Sequence, residues 1–213
     1  TTLGLDDFSA RGPVRIEGLL AGNIWWPRIS ARVISAAPKL YWRLDEDSKY
    51  PLSLGKTTGR VEFKRDKEGF RLDFTDVATT ALDGSLASNG TFRLTPKAHL
   101  DLEFSMARAT AKKLAVLLGI DDFSFAGTLN TQAKLVGPAK NPKLTAKLRL
   151  DNARLFYKLK GVNIFYHPPH VLGHLSLDKS HLELSDVRGP IHDGSFRFRI
   201  HRQRRKDVLW NAS

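Results

Sequence analysis

Apolar and polar residues alternate one for one along much of this chain, and that period limits the fold more than any other feature. It runs through Val14-Arg15-Ile16-Glu17, Leu72-Asp73-Phe74, Leu100-Asp101-Leu102-Glu103-Phe104, Leu182-Glu183-Leu184 and Phe196-Arg197-Phe198-Arg199-Ile200. Successive side chains of a strand point to opposite faces, so each segment offers one apolar row and one polar row. Turn chemistry separates the segments at Arg11-Gly12-Pro13, Gly55, Lys67-Glu68-Gly69, Asp83-Gly84, Asn89-Gly90, Gly137-Pro138, Asn141-Pro142 and Asp193-Gly194. One stretch breaks the period. From Ala107 to Leu118 strong helix formers place Leu114, Leu117 and Leu118 on one face, with Gly119 as a stop. Such a short helix needs an apolar surface to lie on, and the sheet supplies one.

The alternating segments repeat. Gly22 and Pro27 to Val33 match Gly137 and Pro142 to Leu148 at an offset of 115, as do Lys39 to Leu44 and Arg154 to Leu159. Leu72 to Val77 and Asp83 to Leu86 match Leu182 to Val187 and Asp193 to Phe196 at an offset of 110, which a five-residue loop deletion reconciles. This reading divides the chain into a first β repeat unit over 1–105, a short helix over 106–119, a second β repeat unit over 120–201 and a basic tail over 202–213. One-sided strands cannot bury their apolar face alone, so the units are expected to stack into one continuous sheet.

Composition narrows the class. The chain has 213 residues, of which 41% are hydrophobic and 26% charged, which supports a folded core and disfavours disorder. No run approaches the roughly eighteen apolar residues of a membrane-spanning helix, and Thr1-Thr2 does not begin a signal peptide, so any targeting or anchoring element is expected outside this chain. The absence of cysteine excludes a disulfide scaffold, thiol catalysis and a Cys-rich zinc site. The net charge of +12 suggests an anionic partner. Its distribution is uneven: residues 1–107 carry 15 basic and 14 acidic side chains, and residues 108–213 carry 19 and 8. Nucleic acid is disfavoured, since the first half is nearly neutral and no nucleic-acid module emerges.

The order of these motifs resembles a known family. Residues Gly127 to Leu155 follow the pattern of Gly, alternating strand, Gly, Asn-Pro, alternating strand, small polar turn and further strand. Asp83-Gly84-Ser85 and Asp193-Gly194-Ser195 look like its second recurring element, and Phe92 to Leu118 resembles a strand pair running into a Leu-rich helix. Over residues 12 to 200 the chain resembles the AsmA-like superfamily of bacterial envelope proteins, particularly its TamB- and YhdP-like members, and through it the bridge-like lipid-transfer proteins. The basic second half departs from the family pattern.

The resemblance implies a mainly β fold: an elongated, curved antiparallel sheet folded into a taco-like trough, with one short amphipathic helix. It implies a non-enzymatic segment of a periplasmic protein, attached to the inner membrane by a segment outside this chain. Its apolar groove would shield phospholipid or other acyl lipid in transport between inner and outer membranes and support outer-membrane homeostasis. The rival reading is a structural or docking β-module that pairs with further repeats of the same chain or with an envelope protein partner.

Candidate groove residues are Ile29, Ala31, Val33, Leu40, Trp42, Leu44, Leu72, Phe74, Leu100, Leu102, Phe104, Leu144, Ala146, Leu148, Leu155, Tyr157, Leu159, Leu182, Leu184, Phe196, Phe198 and Ile200. Covering acyl methylenes contributes about 0.8 kcal/mol each. An ordinary closed core needs the same alternation. Arg202, Arg204, Arg205 and Lys206 are candidates for an anionic partner such as a charged membrane surface, or a solvated terminus. Trp25-Trp26-Pro27 places one indole at a rim or interface, or in surface packing.

Other chemistry finds little support. His167, His170 and His174 flank Pro168-Pro169, which prevents a helix from presenting them together as metal ligands. Asp73, Asp76 and Asp83, with Glu183, Asp186 and Asp193 as the copy, read as turn and polar-face residues more readily than as a hydrolytic or calcium site. There is no phosphate loop, nucleophile elbow or His-Glu-x-x-His sequence, so no enzyme and no cofactor are expected.

Overall fold

The computed structural model describes residues 8–23, 25–43, 49–67, 69–94, 98–117, 123–159, 162–178, 180–191, 194–203 and 208–212. The described strands are β1 (Phe8–Arg11), β2 (Val14–Asn23), β3 (Trp26–Ser35), β4 (Lys39–Arg43), β5 (Lys49–Ser53), β6 (Thr57–Asp66), β7 (Gly69–Ala81), β8 (Gly84–Arg93) and β9 (His99–Thr110). After helix α1 (Ala111–Leu117) come β10 (Phe123–Pro138), β11 (Lys143–Leu159), β12 (Val162–Tyr166), β13 (His170–Leu177), β14 (His181–Ile191), β15 (Gly194–Gln203) and β16 (Val208–Ala212). The helix begins at Ala111, four residues after the start its composition suggests, because Ala107 to Thr110 continue β9.

Thirteen strands form one antiparallel sheet in the order β16-β15-β14-β13-β11-β10-β9-β8-β7-β6-β3-β2, with β12 joined to β11 off this path. β1, β4 and β5 form a separate three-stranded sheet. It meets the main sheet where Leu54 bridges Ala81 and the Gly55 N–H donates to the Thr80 carbonyl at 2.8 Å.

The expected taco-like trough is corrected. The main sheet is an open path with β2 and β16 at its two ends, and it is neither closed nor strongly curled. Strand packing follows hydrogen-bonded neighbours, and the helix α1 is the element laid against the sheet at β10. The accessible surface of 14072 Å² far exceeds the ~9,900 Å² of a compact monomer of this mass. Alternation requires only that a strand have two unlike faces; it does not make two walls of a sheet approach each other.

The repeated spacing of the sequence reappears in the ladders. Glu17 pairs with Arg32 and Leu20 with Ile29, as Gln132 pairs with Lys147 and Leu135 with Leu144. Gly12 and Gly127 take left-handed φ of 147° and 137°, and Gly22 and Gly137 take 92° and 126°. The ladder of β7 and β8 slips between Phe74 and Val77, and that of β14 and β15 slips between Leu184 and Val187.

Ala31, Ala81 and Phe92 are buried in the first half, but the two buried apolar clusters lie in the second. Ala109, Ala111, Leu129, Leu150, Ala153, Val171 and Val187 form one cluster, and Ala146, Leu175, Leu177 and Leu182 a second. Leu114 of α1 packs against both. The helix carries no acidic residue in its first turn and no basic one in its last, so packing holds it in place. Its start is also tied down by Asp83, which accepts from Thr110 Oγ1 at 2.9 Å and Lys113 Nζ at 2.6 Å.

Candidate functional site

Register decides which residues share a face. Leu20, Ile29, Phe63, Leu72, Phe92 and Leu100 stand in one continuous row from β2 to β9. The parallel row through Leu102, Leu135, Leu144, Leu177 and Leu182 continues it to β14. Among the described residues, the paired positions on this side from β2 to β14 carry one charged residue, Arg65 at the end of β6. Its guanidinium lies over the Phe70 ring, 5.4 Å from the centroid. Among the described side chains, the other charged paired positions of these ladders fall on the opposite side.

Bulges keep the two sides apart. Asp76, Arg108, Asn152 and Asp186 have φ of 52°, 58°, 50° and 50°. Each adds one residue to its strand, so Val77, Ala109, Ala153 and Val187 return to the apolar side after a break in the count of two. Polar partners fix these bulges. Asn89 Oδ1 accepts from the Asp76 N–H at 2.8 Å, and Asn130 Oδ1 from the Arg108 N–H at 3.1 Å. Asp186 accepts from Arg197 Nε at 3.1 Å. From the sequence Asp76 and Asp186 read as turn and polar-face residues; in the structure they sit at bulges, where Asp and Asn tolerate left-handed backbone better than most residues.

The apolar side is covered unequally. Over the second half α1 lies against it, and Leu129, Leu150 and Val171 are buried. Toward the other end Leu72, Phe74, Leu100, Leu102 and Phe104 are only half-buried. At β2 the side is open: Ile16 is 66% and Leu20 76% exposed.

Among the candidate groove residues, register brings Ile29, Ala31, Val33, Leu72, Phe74, Leu100, Leu102, Phe104, Leu144, Ala146, Leu148, Leu182 and Leu184 to this side. Leu155 and Phe196 pack against the first core cluster. Leu40 and Trp42 belong to the separate small sheet, opposite Ala10 and Phe8. Tyr157 and Leu159 pair with Ile164 and Val162, while Phe198 and Ile200 pair with Val187 and Leu184. Arg202 pairs with Leu182 and Val208. Leu44, Arg204, Arg205 and Lys206 lie outside the described residues, as does Asp193.

The polar side is an ion-pair lattice. Lys64 bridges Glu62 at 2.7 Å and Asp73 at 2.9 Å, and Arg28 reaches Glu62 at 3.3 Å. The hydrogen bond from Lys64 holds the Glu62 carboxyl below its ordinary range, and the return effect of Glu62, then Asp73, raises the Lys64 ammonium. Arg197 lowers Asp186, and Lys113 lowers Asp83. A shallow hollow of about 500 Å³ on this side is lined by Asn89, Glu103, Gln132, Lys134, Lys147 and His174, among others. Lys134 pairs with Glu103 there. His167, His170 and His174 are exposed, and among the described residues no group of three His, Asp or Glu is placed to hold a metal ion. Trp25 sits at the β2–β3 turn, 71% exposed, where its carbonyl accepts from Arg65 at 3.1 Å.

The arrangement defines an open antiparallel sheet with an apolar side and a charged side. Comparison with family models, curated proteins and solved structures finds no match. Among the described residues no helix is long and apolar enough to cross a membrane.

Proposed function

We propose that this chain is a non-enzymatic length of a bacterial envelope protein, periplasmic and AsmA-like, whose apolar sheet side covers phospholipid acyl chains in passage between inner and outer membranes. The observation that carries this reading is the apolar side itself. It runs across the ladders from β2 to β14 with Arg65 as its one charge among the described residues, and its first half lacks the cover that α1 gives the second. An open apolar sheet in water is costly, and an acyl chain laid on it gains about 0.8 kcal/mol per covered methylene. The charged side keeps such a sheet in solution and would leave head groups at the solvated margin.

Native mass spectrometry of the chain purified from a bacterial host tests the reading. The expected result is co-purified phospholipid that Leu102→Asp removes while the thermal transition persists. Lipid-free protein that also takes up no added phospholipid overturns it.

A further inference from the structure

The edge strand β2 has the geometry of a strand that is meant to be paired on both sides. Among the described strands it pairs on one side only, with β3. It is ten residues long, without proline, and exposes Val14, Ile16, Leu19 and Leu20 by 56 to 78%. Natural edge strands are usually shortened, bulged or blocked with inward charge or proline, because a long apolar edge recruits another strand. The strand at the other end of the path, β16, is only five residues long.

The chain contains a copy of this strand that is paired on both sides. β10 repeats β2 at an offset of 115, with the same register against its following strand and the same left-handed glycine near its end, Gly22 in one and Gly137 in the other. On its other side β10 receives β9 antiparallel, with Leu102 opposite Leu135, Phe104 opposite Ala133 and Met106 opposite Thr131. The equivalent positions in β2 are Leu20, Gly18 and Ile16. Beyond them the likeness ends, since Asn130, which holds the Arg108 bulge of β9, is replaced by Arg15.

We infer that β2 is a docking edge for an antiparallel, alternating apolar and polar strand, registered from Ile16 to Gly22 as β9 is registered on β10. The occupant places apolar side chains opposite Ile16, Gly18 and Leu20. A bulky one fits opposite Gly18, which has no side chain of its own. Main-chain hydrogen bonds supply affinity and the alternate side chains supply register. A bilayer is a poorer occupant, because the unpaired backbone row of an edge finds no partner in hydrocarbon. The inference stands apart from lipid binding, because it concerns the edge and not the open side.

The absence of cysteine permits a direct test by disulfide trapping. The Ile16→Cys chain is mixed under mild oxidation with a peptide of the β9 sequence, His99 to Thr110, carrying cysteine in place of either Met106 or Ser105. The expected result is at least tenfold more adduct from the Met106 replacement, which shares a side with Ile16. Adding Leu20→Asp to the chain should lower that yield about tenfold without moving the thermal transition, since Leu20 is 76% exposed. No adduct, equal yield from the two peptides, insensitivity to Leu20→Asp, or a predominant disulfide homodimer of the Ile16→Cys chain would each overturn the inference, the last by making a second copy the occupant.

Discussion

The two copies of the repeat differ most where their first strand pair leaves the main sheet. In the second copy β10 and β11 run on past a bulge, pairing Phe125 with Leu155 and Phe123 with Tyr157. In the first the equivalent partners, Ala10 with Leu40 and Phe8 with Trp42, belong to separate strands in a separate sheet. Two prolines account for the difference. Pro13 and Pro38 stand where the second copy has Thr128 and Ala153. Proline lacks the N–H of a ladder and tends to interrupt it. The buried Ala153 donates its N–H to the Pro168 carbonyl at 3.1 Å; in the first copy Pro38 has no N–H to give, and its carbonyl accepts from the Leu54 N–H at 3.0 Å. A duplicated strand pair can thus run on or break according to whether proline occupies these two positions. Cover differs as well, because α1 lies on the second copy, while in the first Leu72, Phe74, Leu100 and Leu102 stay half-buried.

Cover should give the largest difference in energetics. Leu150→Ala, beneath α1, is expected to cost about 2–5 kcal/mol, whereas Ile16→Ala at the open edge stays within about 0.5 kcal/mol. Urea denaturation of the two variants checks this, and equal losses would break the distinction. The proline positions come next. Ala153→Pro removes the donor to Pro168 and should destabilise by about 1–3 kcal/mol, while Pro38→Ala, where no N–H is used, changes stability less.

The bulges should behave alike in both copies. Asp76→Val and Asp186→Val each force a β-branched residue into left-handed backbone, at about 1–2 kcal/mol, and unequal losses in thermal denaturation would separate the copies at this point. Acid gives the smallest effect. Glu62 in the first copy and Asp186 in the second are held below the ordinary carboxylate range, by Lys64 and Arg197 respectively. A lowered folded-state value contributes stability above the unfolded value, so the contribution persists at neutral pH and is lost as pH falls below about 4. Both groups are only partly buried and screened by water, so the decline in melting temperature should be shallow and reduced by Asp186→Asn.

Much of this fold is written in alternation. Leu100, Leu102 and Phe104 announce a one-sided strand, and the turns at Asp83-Gly84 and Asn141-Pro142 separate such strands. The overall shape is not written there. Whether a sheet curls depends on twist and on what covers it, and Leu102 has the same local sequence in a trough as in an open sheet. Asp76 and Asp186 looked like polar-face carboxylates because their neighbours are strand residues; only the ladder reveals an extra residue. The open edge is not written there either, since the alternation of Val14-Arg15-Ile16-Glu17 is the same in a central strand and in an edge strand; the order of strands places β2 at a border.

The most direct test of the central claim compares adjacent residues on opposite sides of β9. A photoreactive phenylalanine analogue is placed at Leu102 or at Glu103, and cells are irradiated before purification. The account predicts phospholipid adducts at Leu102 and few or none at Glu103. Adducts at neither position, or equal labelling at both, would contradict it.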